Sequence, residues 1–335
     1  MRKTMIPVSP GMKIAYQAPI EPCPSDLEFI QQLGIEYITT WASGEKASAE
    51  YYTSRKMLYA SIGVQIYGMG CSSVHNQPAI VLGLENRDAK IEEYKRHLRN
   101  LGQAGIPYTT YAHMANGIWS SSPGVTRGSA RARAFNLAAN PKGYDSGHVY
   151  EGQLTHGRRY SEQEIWDNFE YFIKQVAPVA EEAGVRIGIH PDDPPVPELG
   201  GIPRCIFSSF EGYRQALEIA DSPNVGVCLC VGCWVEGGPM MGKSVEDTIR
   251  YFGERKKLFK IHLRNVDQPL PHFVETFLDN GYYNMYNVVK ALRDMDFDGV
   301  LIPDHIPDMT DYPKVGSAFS IGYMKGLAER ARNEV

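Results

Sequence analysis

Eight short runs rich in β-branched and aromatic residues recur along the 335-residue chain, each followed by a stretch of helical periodicity. They are MKIAYQA, IEYITTW, GVQIYGM, IPYTTYA, VRIGIHP, VGVCLC, LFKIHLR and GVLIPDH. Several helical stretches end in glycine just before the next run, at Gly34, Gly63, Gly105, Gly184 and Gly299, where a left-handed residue stops a helix. Ser25 with Glu28 and Ser161 with Glu164 fit capping boxes, and Ser244 with Asp247 is a weaker version. Strand, loop, helix, glycine, strand is the grammar of a parallel α/β protein. Eight such units predict a closed (β/α)8 TIM barrel, with residues 1–335 as one domain. An open doubly wound sheet is the alternative, but no glycine-rich phosphate loop follows the first run.

One segment breaks the repeat. From about His113 to Tyr160, between the fourth strand and its helix, the composition is loop-like, which predicts an extended loop lying as a lid over the active-site face. Arg127, Arg131 and Arg133 fall within it, with Arg127 expected to bind an anionic substrate group. Trp119, on the same segment, is a candidate substrate contact.

A formal net charge of −5 argues against a nucleic-acid partner, because phosphate binding needs a basic surface. A small-molecule partner is expected, in a chain that could form a homo-oligomer. The N-terminal MRKTMIPVSPGMKIAY lacks the apolar stretch of a signal peptide, and no segment approaches the roughly 18 apolar residues of a membrane span. The expectation is a cytoplasmic protein with no membrane partner. Six cysteines in a chain this long do not form a disulfide framework and are read as free thiols, apart from one metal ligand.

That ligand belongs to a set. His190, Cys230, His262 and Asp304 end strands five to eight, where a barrel gathers its catalytic groups. Together they offer donors at the roughly 2.0–2.3 Å typical of first-row divalent ions. Cys228, Cys230 and Cys233 could instead be a thiolate cluster, but their spacing matches no common zinc knuckle. Alternation along a strand puts Cys228 in an interior layer below Cys230, and puts Lys260, His262 and Arg264 on one face. Lys260 would point into the barrel, either as part of an ion pair or as a substrate contact. Arg264, at the rim, suits a substrate carboxylate. His305, next to Asp304, is a candidate general acid or base, or else a group that orients a ligand.

The segments His190-Pro-Asp-Asp-Pro-Pro, Cys230-Val-Gly, Lys260-Ile-His-Leu-Arg264, Pro303-Asp-His305 and Ile321-Gly-Tyr-Met-Lys-Gly-Leu-Ala-Glu329 resemble the mannonate dehydratase family. The resemblance implies a xylose-isomerase-like barrel that removes water from D-mannonate to give 2-keto-3-deoxygluconate with a divalent metal. It implies manganese, where a thiolate site by ligand softness suggests zinc or iron; cobalt is a further possibility. It also implies His190, Cys230, His262 and Asp304 as ligands, His305 as the acid/base residue and Arg264 as a contact to the sugar acid.

The family's tyrosine before the final Ile-Gly is replaced here by Ser317, Ala318 or Phe319, leaving Tyr312 or Tyr323 as substitutes. Ile302 stands for an arginine, Trp41-Ala-Ser-Gly for histidines, and the loop CSSVHNQPAIVLGLENRD is unlike the family's. Lys260 stands where an apolar residue is expected. The reading is a dehydratase of D-mannonate or a close sugar acid; the alternatives are a metal-dependent sugar isomerase or epimerase, and a carbohydrate-binding barrel without catalysis.

Overall fold

The computed structural model describes residues 4–310 and 313–334. All eight expected strands form: β1 (Lys13–Gln17), β2 (Tyr37–Ala42), β3 (Gln65–Cys71), β4 (Tyr108–Tyr111), β5 (Arg186–Ile189), β6 (Val225–Cys230), β7 (Leu258–Leu263) and β8 (Val300–Pro303). Every neighbouring pair is parallel, and β8 pairs with β1 to close the barrel. Between the strands run α1 (Pro24–Gln32), α2 (Ala49–Ala60), α3 (Arg87–Ala104), α4 (Glu162–Ala183), α5 (Phe210–Ala220), α6 (Val245–Glu254) and α7 (Met285–Asp294), and α8 (Pro313–Asn333) follows β8. Most strand residues are buried on both faces because one face meets these helices and the other fills the barrel.

The helix ends follow the sequence reading with two exceptions. Ser161 and Glu164 cap α4 reciprocally, and the Ser244 hydroxyl accepts from the Asp247 amide at α6. At α1 the N-cap is Cys23 and not Ser25: Pro24 takes the first helical position, and Asp26 reaches back to the Cys23 amide. Gly34, Gly63, Gly105 and Gly184 are left-handed as expected, whereas the left-handed residue before β8 is Asp296. Gly299 is required for space, since a Cβ there would lie 2.3 Å from the Phe259 carbonyl oxygen.

Inside the barrel, Tyr37, Tyr67, Tyr108, Phe259, Val300 and Ile302 pack as a compact core. The β6–β7 register jumps between Val227 and Cys228, leaving Phe259 without an opposite residue. Above the jump, Cys228 faces Lys260 and Cys230 faces His262.

The 113–160 segment is more ordered than its composition suggested. Ile118–Ser120, Lys142–Asp145 and His148–Tyr150 form an antiparallel sheet. Ala134–Asn136 joins His272–Thr276, which in turn pairs with Asn265–Val266. The segment is thus stitched to the loop after β7 by backbone hydrogen bonds, beside the barrel's C-terminal mouth. Among the described residues no helix is long and apolar enough to cross a membrane.

Candidate active site

The ends of β5 to β8 converge. One donor atom from each of His190, Cys230, His262 and Asp304 lies within 4.8 Å of all the others. Backbone bonds carry the ladder one residue past two strands, from the His190 amide to the Tyr111 carbonyl and from the Asp304 amide to the Leu263 carbonyl. The Cys230 thiol is 3.4 Å from Asp304 Oδ2, and His262 Nδ1 is 3.3 Å from Asp304 Oδ1. Two donors about 2.2 Å from a tetrahedral ion are themselves about 3.6 Å apart, so these spacings suit a shared cation.

The histidine tautomers agree. His190 Nδ1 donates to the Pro191 carbonyl, 2.7 Å away, which leaves Nε2 as a lone pair. His262 Nε2 lies 3.5 Å from the Cys228 sulfur, whereas its Nδ1 is buried and faces Asp304 Oδ1 with room for a proton or a metal ion between them. A ring lone pair opposite a carboxylate is repulsive until a proton or a metal ion stands between them. The donor set therefore fits a divalent metal.

Electrostatics reinforce the site. Burial raises the Asp304 carboxyl, but the charges of His305 and His262 outweigh it and hold the group well below the usual carboxylate range. Burial also pushes the Cys230 thiol up; the hydrogen bond from Cys233 and the Arg264 guanidinium override this and favour the thiolate.

His305, although adjacent to Asp304, turns elsewhere. Its Nδ1 donates to Glu275 Oε1 at 2.9 Å, and about a third of the side chain (36%) is exposed at the mouth. Burial lowers its affinity for a proton, but Glu275 and Asp304 dominate and push its pKa up to about 9. The imidazole is therefore a cation at neutral pH, suited to act as an acid.

Arg264 is the main correction. It is fully buried, and its fork is occupied: Nη1 donates to Glu236 at 2.7 Å and to Glu275, while Nη2 donates to Asp193 at 3.0 Å and contacts the Cys230 and Cys233 sulfurs. Its Nε lies 3.1 Å from Asp304 Oδ2. With both Nη groups so engaged, the guanidinium lies among Asp304, Cys230 and the buried carboxylates, and its remaining donor, Nε, faces Asp304 without a hydrogen bond among the described residues.

Arg127 is likewise redirected. It makes a bidentate pair with Asp279 at 2.8 and 3.1 Å, half exposed, over the Phe277 and Phe319 rings. The arginine of that run which enters the site is Arg133, bonded to Asp193, Glu236 and Glu275 at 2.5, 3.2 and 2.9 Å. Burial and the neighbouring Asp193 and Glu275 charges raise the Glu236 carboxyl against the pull of Arg264 and Arg133, and its Oε2 has no partner among the described residues.

Lys260 points inward as expected, 2% exposed and 6.0 Å from the Tyr108 ring, with no hydrogen bond or ion pair found for its ammonium among the described residues. Burial drives its pKa down. Trp119 is buried; its amide donates to the Asp193 carbonyl, its own carbonyl accepts from Arg133, and its indole N–H has no partner among the described residues.

Ser317, Ala318 and Phe319 lie in the first turns of α8, and Phe319 packs on Phe277. Tyr323 is farther along α8, and Tyr312 lies outside the described residues.

Sequence reading named Arg133 only as one of a run, and did not single out Asp193, Glu236, Glu275 or His75. His75 comes from the loop after β3, stacks edge-on against Trp41 with centroids 4.6 Å apart, and bonds through Nδ1 to the Thr110 carbonyl. Asp193 lay inside the quoted His-Pro-Asp-Asp-Pro run and His75 inside the quoted loop CSSVHNQPAIVLGLENRD; Glu236 and Glu275 carried no local signal.

Comparison with known proteins gives a family match over most of the chain. The D-mannonate dehydratase (UxuA) family matches residues 12–137 and 138–334. A mannonate dehydratase of Streptococcus pneumoniae (strain 70585) is 33% identical over 312 residues, covering 85% of this chain and 83% of the relative. The crystal structure of mannonate dehydratase from Streptococcus suis serotype 2 superposes with a TM-score of 0.82 at 30% identity, covering 96% of this chain and 94% of that one. An L-ribulose 3-epimerase structure (TM-score 0.59, 12% identity, 96% of each chain) shares the fold alone.

Proposed function

Because this chain belongs to the D-mannonate dehydratase family, we propose that it is a hydro-lyase removing water from a sugar acid, D-mannonate or a close analogue, to give a 2-keto-3-deoxy acid. The observation that carries this reading is the divergence of two adjacent residues: Asp304 turns into a four-donor cluster, and His305 turns to Glu275 with its Nε2 left for the mouth.

His190, Cys230, His262 and Asp304 would hold a divalent metal, manganese by family resemblance, with iron, cobalt or zinc as alternatives. When bound, such an ion would supply Lewis acidity toward the carboxylate side of the substrate, stabilising the negative charge that develops there. His305, protonated through its bond to Glu275, donates a proton to the departing β-hydroxyl. Arg264 orients Asp304 and Cys230, and Arg133 anchors Asp193 beside them. Lys260 and the unpartnered indole N–H of Trp119 are our candidate substrate contacts. Six free thiols support a reducing, cytoplasmic setting.

The test is purified protein with manganese and D-mannonate, following the 2-keto-3-deoxy acid. His305→Asn is expected to keep its metal and lose roughly 100-fold or more in turnover. Turnover of a ketose without loss of water would move the protein to the isomerases, and bound metal with no turnover of any sugar would make it a binding barrel.

A further inference from the structure

Cys230 has a second thiol within reach. Cys230-Val231-Gly232-Cys233 runs from the end of β6 into the short helix Val231–Gly237, and both sulfurs contact the same Arg264 nitrogen, at 3.4 and 3.3 Å. Cys230 is the extended N-cap residue of that helix and Cys233 its third residue, so the two are joined by the tight strand-to-helix turn, and closure to the roughly 3.5–4.5 Å Cβ separation of a disulfide asks for a local change at that N-cap. Both residues are fully buried, but Cys230 adjoins Asp304, which is 13% exposed at the mouth.

We propose that Cys230 and Cys233 form a reversible oxidation site, in which a hydroperoxide closes a disulfide that removes one donor from the metal cluster and shuts the site until a thiol reductant reopens it. The Cys230 thiol gives up its proton as its sulfur attacks the peroxide oxygen and the O–O bond breaks; the sulfur is oxidised to a sulfenic acid, and the peroxide is reduced to hydroxide, which takes up that proton to become water. The Cys233 thiol then loses its proton and attacks the Cys230 sulfur. The S–S bond forms, and the hydroxyl leaves with that proton as a second water. A bound metal opposes the first step, because it occupies the same sulfur lone pairs. Cys233 thus keeps oxidation of an exchangeable ligand at a reversible stage, where a lone Cys230 would go on to the sulfinic acid.

The inference rests on Cys230 being a metal ligand, yet the disulfide is read by mass alone, so failure of the ligand assignment and failure of this proposal are separable. The full-length chain is treated with a chelator and then with hydrogen peroxide. The expected product is about 2 Da lighter, from loss of two thiol hydrogens, with Cys230 and Cys233 joined in one proteolytic peptide. It takes up no manganese until dithiothreitol restores the thiols, and prior loading with manganese slows its formation. Cys233→Ser and Cys233→Ala are expected to take up manganese when reduced, but to lose that capacity to peroxide without recovery in dithiothreitol. The proposal is overturned if no internal disulfide forms, if Cys230 pairs with Cys228, or if the two variants recover in dithiothreitol as fully as the parent chain.

Discussion

Glu275 Oε1 receives the Nδ1–H of His305 across 2.9 Å, tying the residue after β8 to the added strand His272–Thr276. Glu275 also takes Arg133 and Arg264, and despite its burial the charges of His305, Arg264 and Arg133 together hold its carboxyl down to about 2. It therefore stays ionised and keeps His305 protonated to about pH 9.

Glu275→Gln should expose that dependence. If the cationic imidazole is the working form, activity is present below its pKa and falls as pH rises through it. Removing the Glu275 charge lowers that pKa toward the ordinary value of about 6.5, so the alkaline limb of the kcat profile moves to lower pH. At pH 8 the variant should lose roughly tenfold more turnover than at pH 6. Superimposable profiles would remove Glu275 from the acid's control.

His190→Ala deletes one of four donors. Manganese bound after gel filtration, measured by elemental analysis, should fall close to zero and activity with it, while circular dichroism stays unchanged. Metal retained at parental stoichiometry would refute the ligand assignment.

Two arginines should behave in opposite ways. Arg264→Met leaves Asp193, Glu236 and Glu275 short of a cation in a buried site, and is expected to cost about 3–5 kcal/mol in denaturant unfolding. Arg127→Ala breaks a pair that is half exposed on the arginine side, so it should cost about 0–1 kcal/mol and leave KM within roughly twofold. A large rise in KM for Arg127→Ala would restore it to the substrate site.

Lys260→Met replaces a buried ammonium with an apolar chain of similar length. The melting temperature should hold or rise, because burial penalises the charge. Turnover should fall roughly tenfold or more if the ammonium touches substrate. Parental turnover would return Lys260 to a packing role.

The eight strands and the converging positions of His190, Cys230, His262 and Asp304 were legible because they follow from local patterning: β-rich runs, helix caps and left-handed glycines. Where patterning was misjudged, the reason was also local. Pro24 moved the α1 cap to Cys23, and the glycine-rich composition of 113–160 concealed short antiparallel strands.

The charged surroundings of the quartet are a different matter. Arg133 meets Glu236 and Glu275 from 103 and 142 residues away, and Arg264 spends its fork on carboxylates that a rim position could not foretell. Periodicity along a chain specifies which segments become strands and which side chains end them, since both depend on near neighbours. Which arginine is consumed, and which histidine is left holding a proton, depends on loops that pair only after the barrel has closed, because burial and unlike charges act through space and not along the backbone.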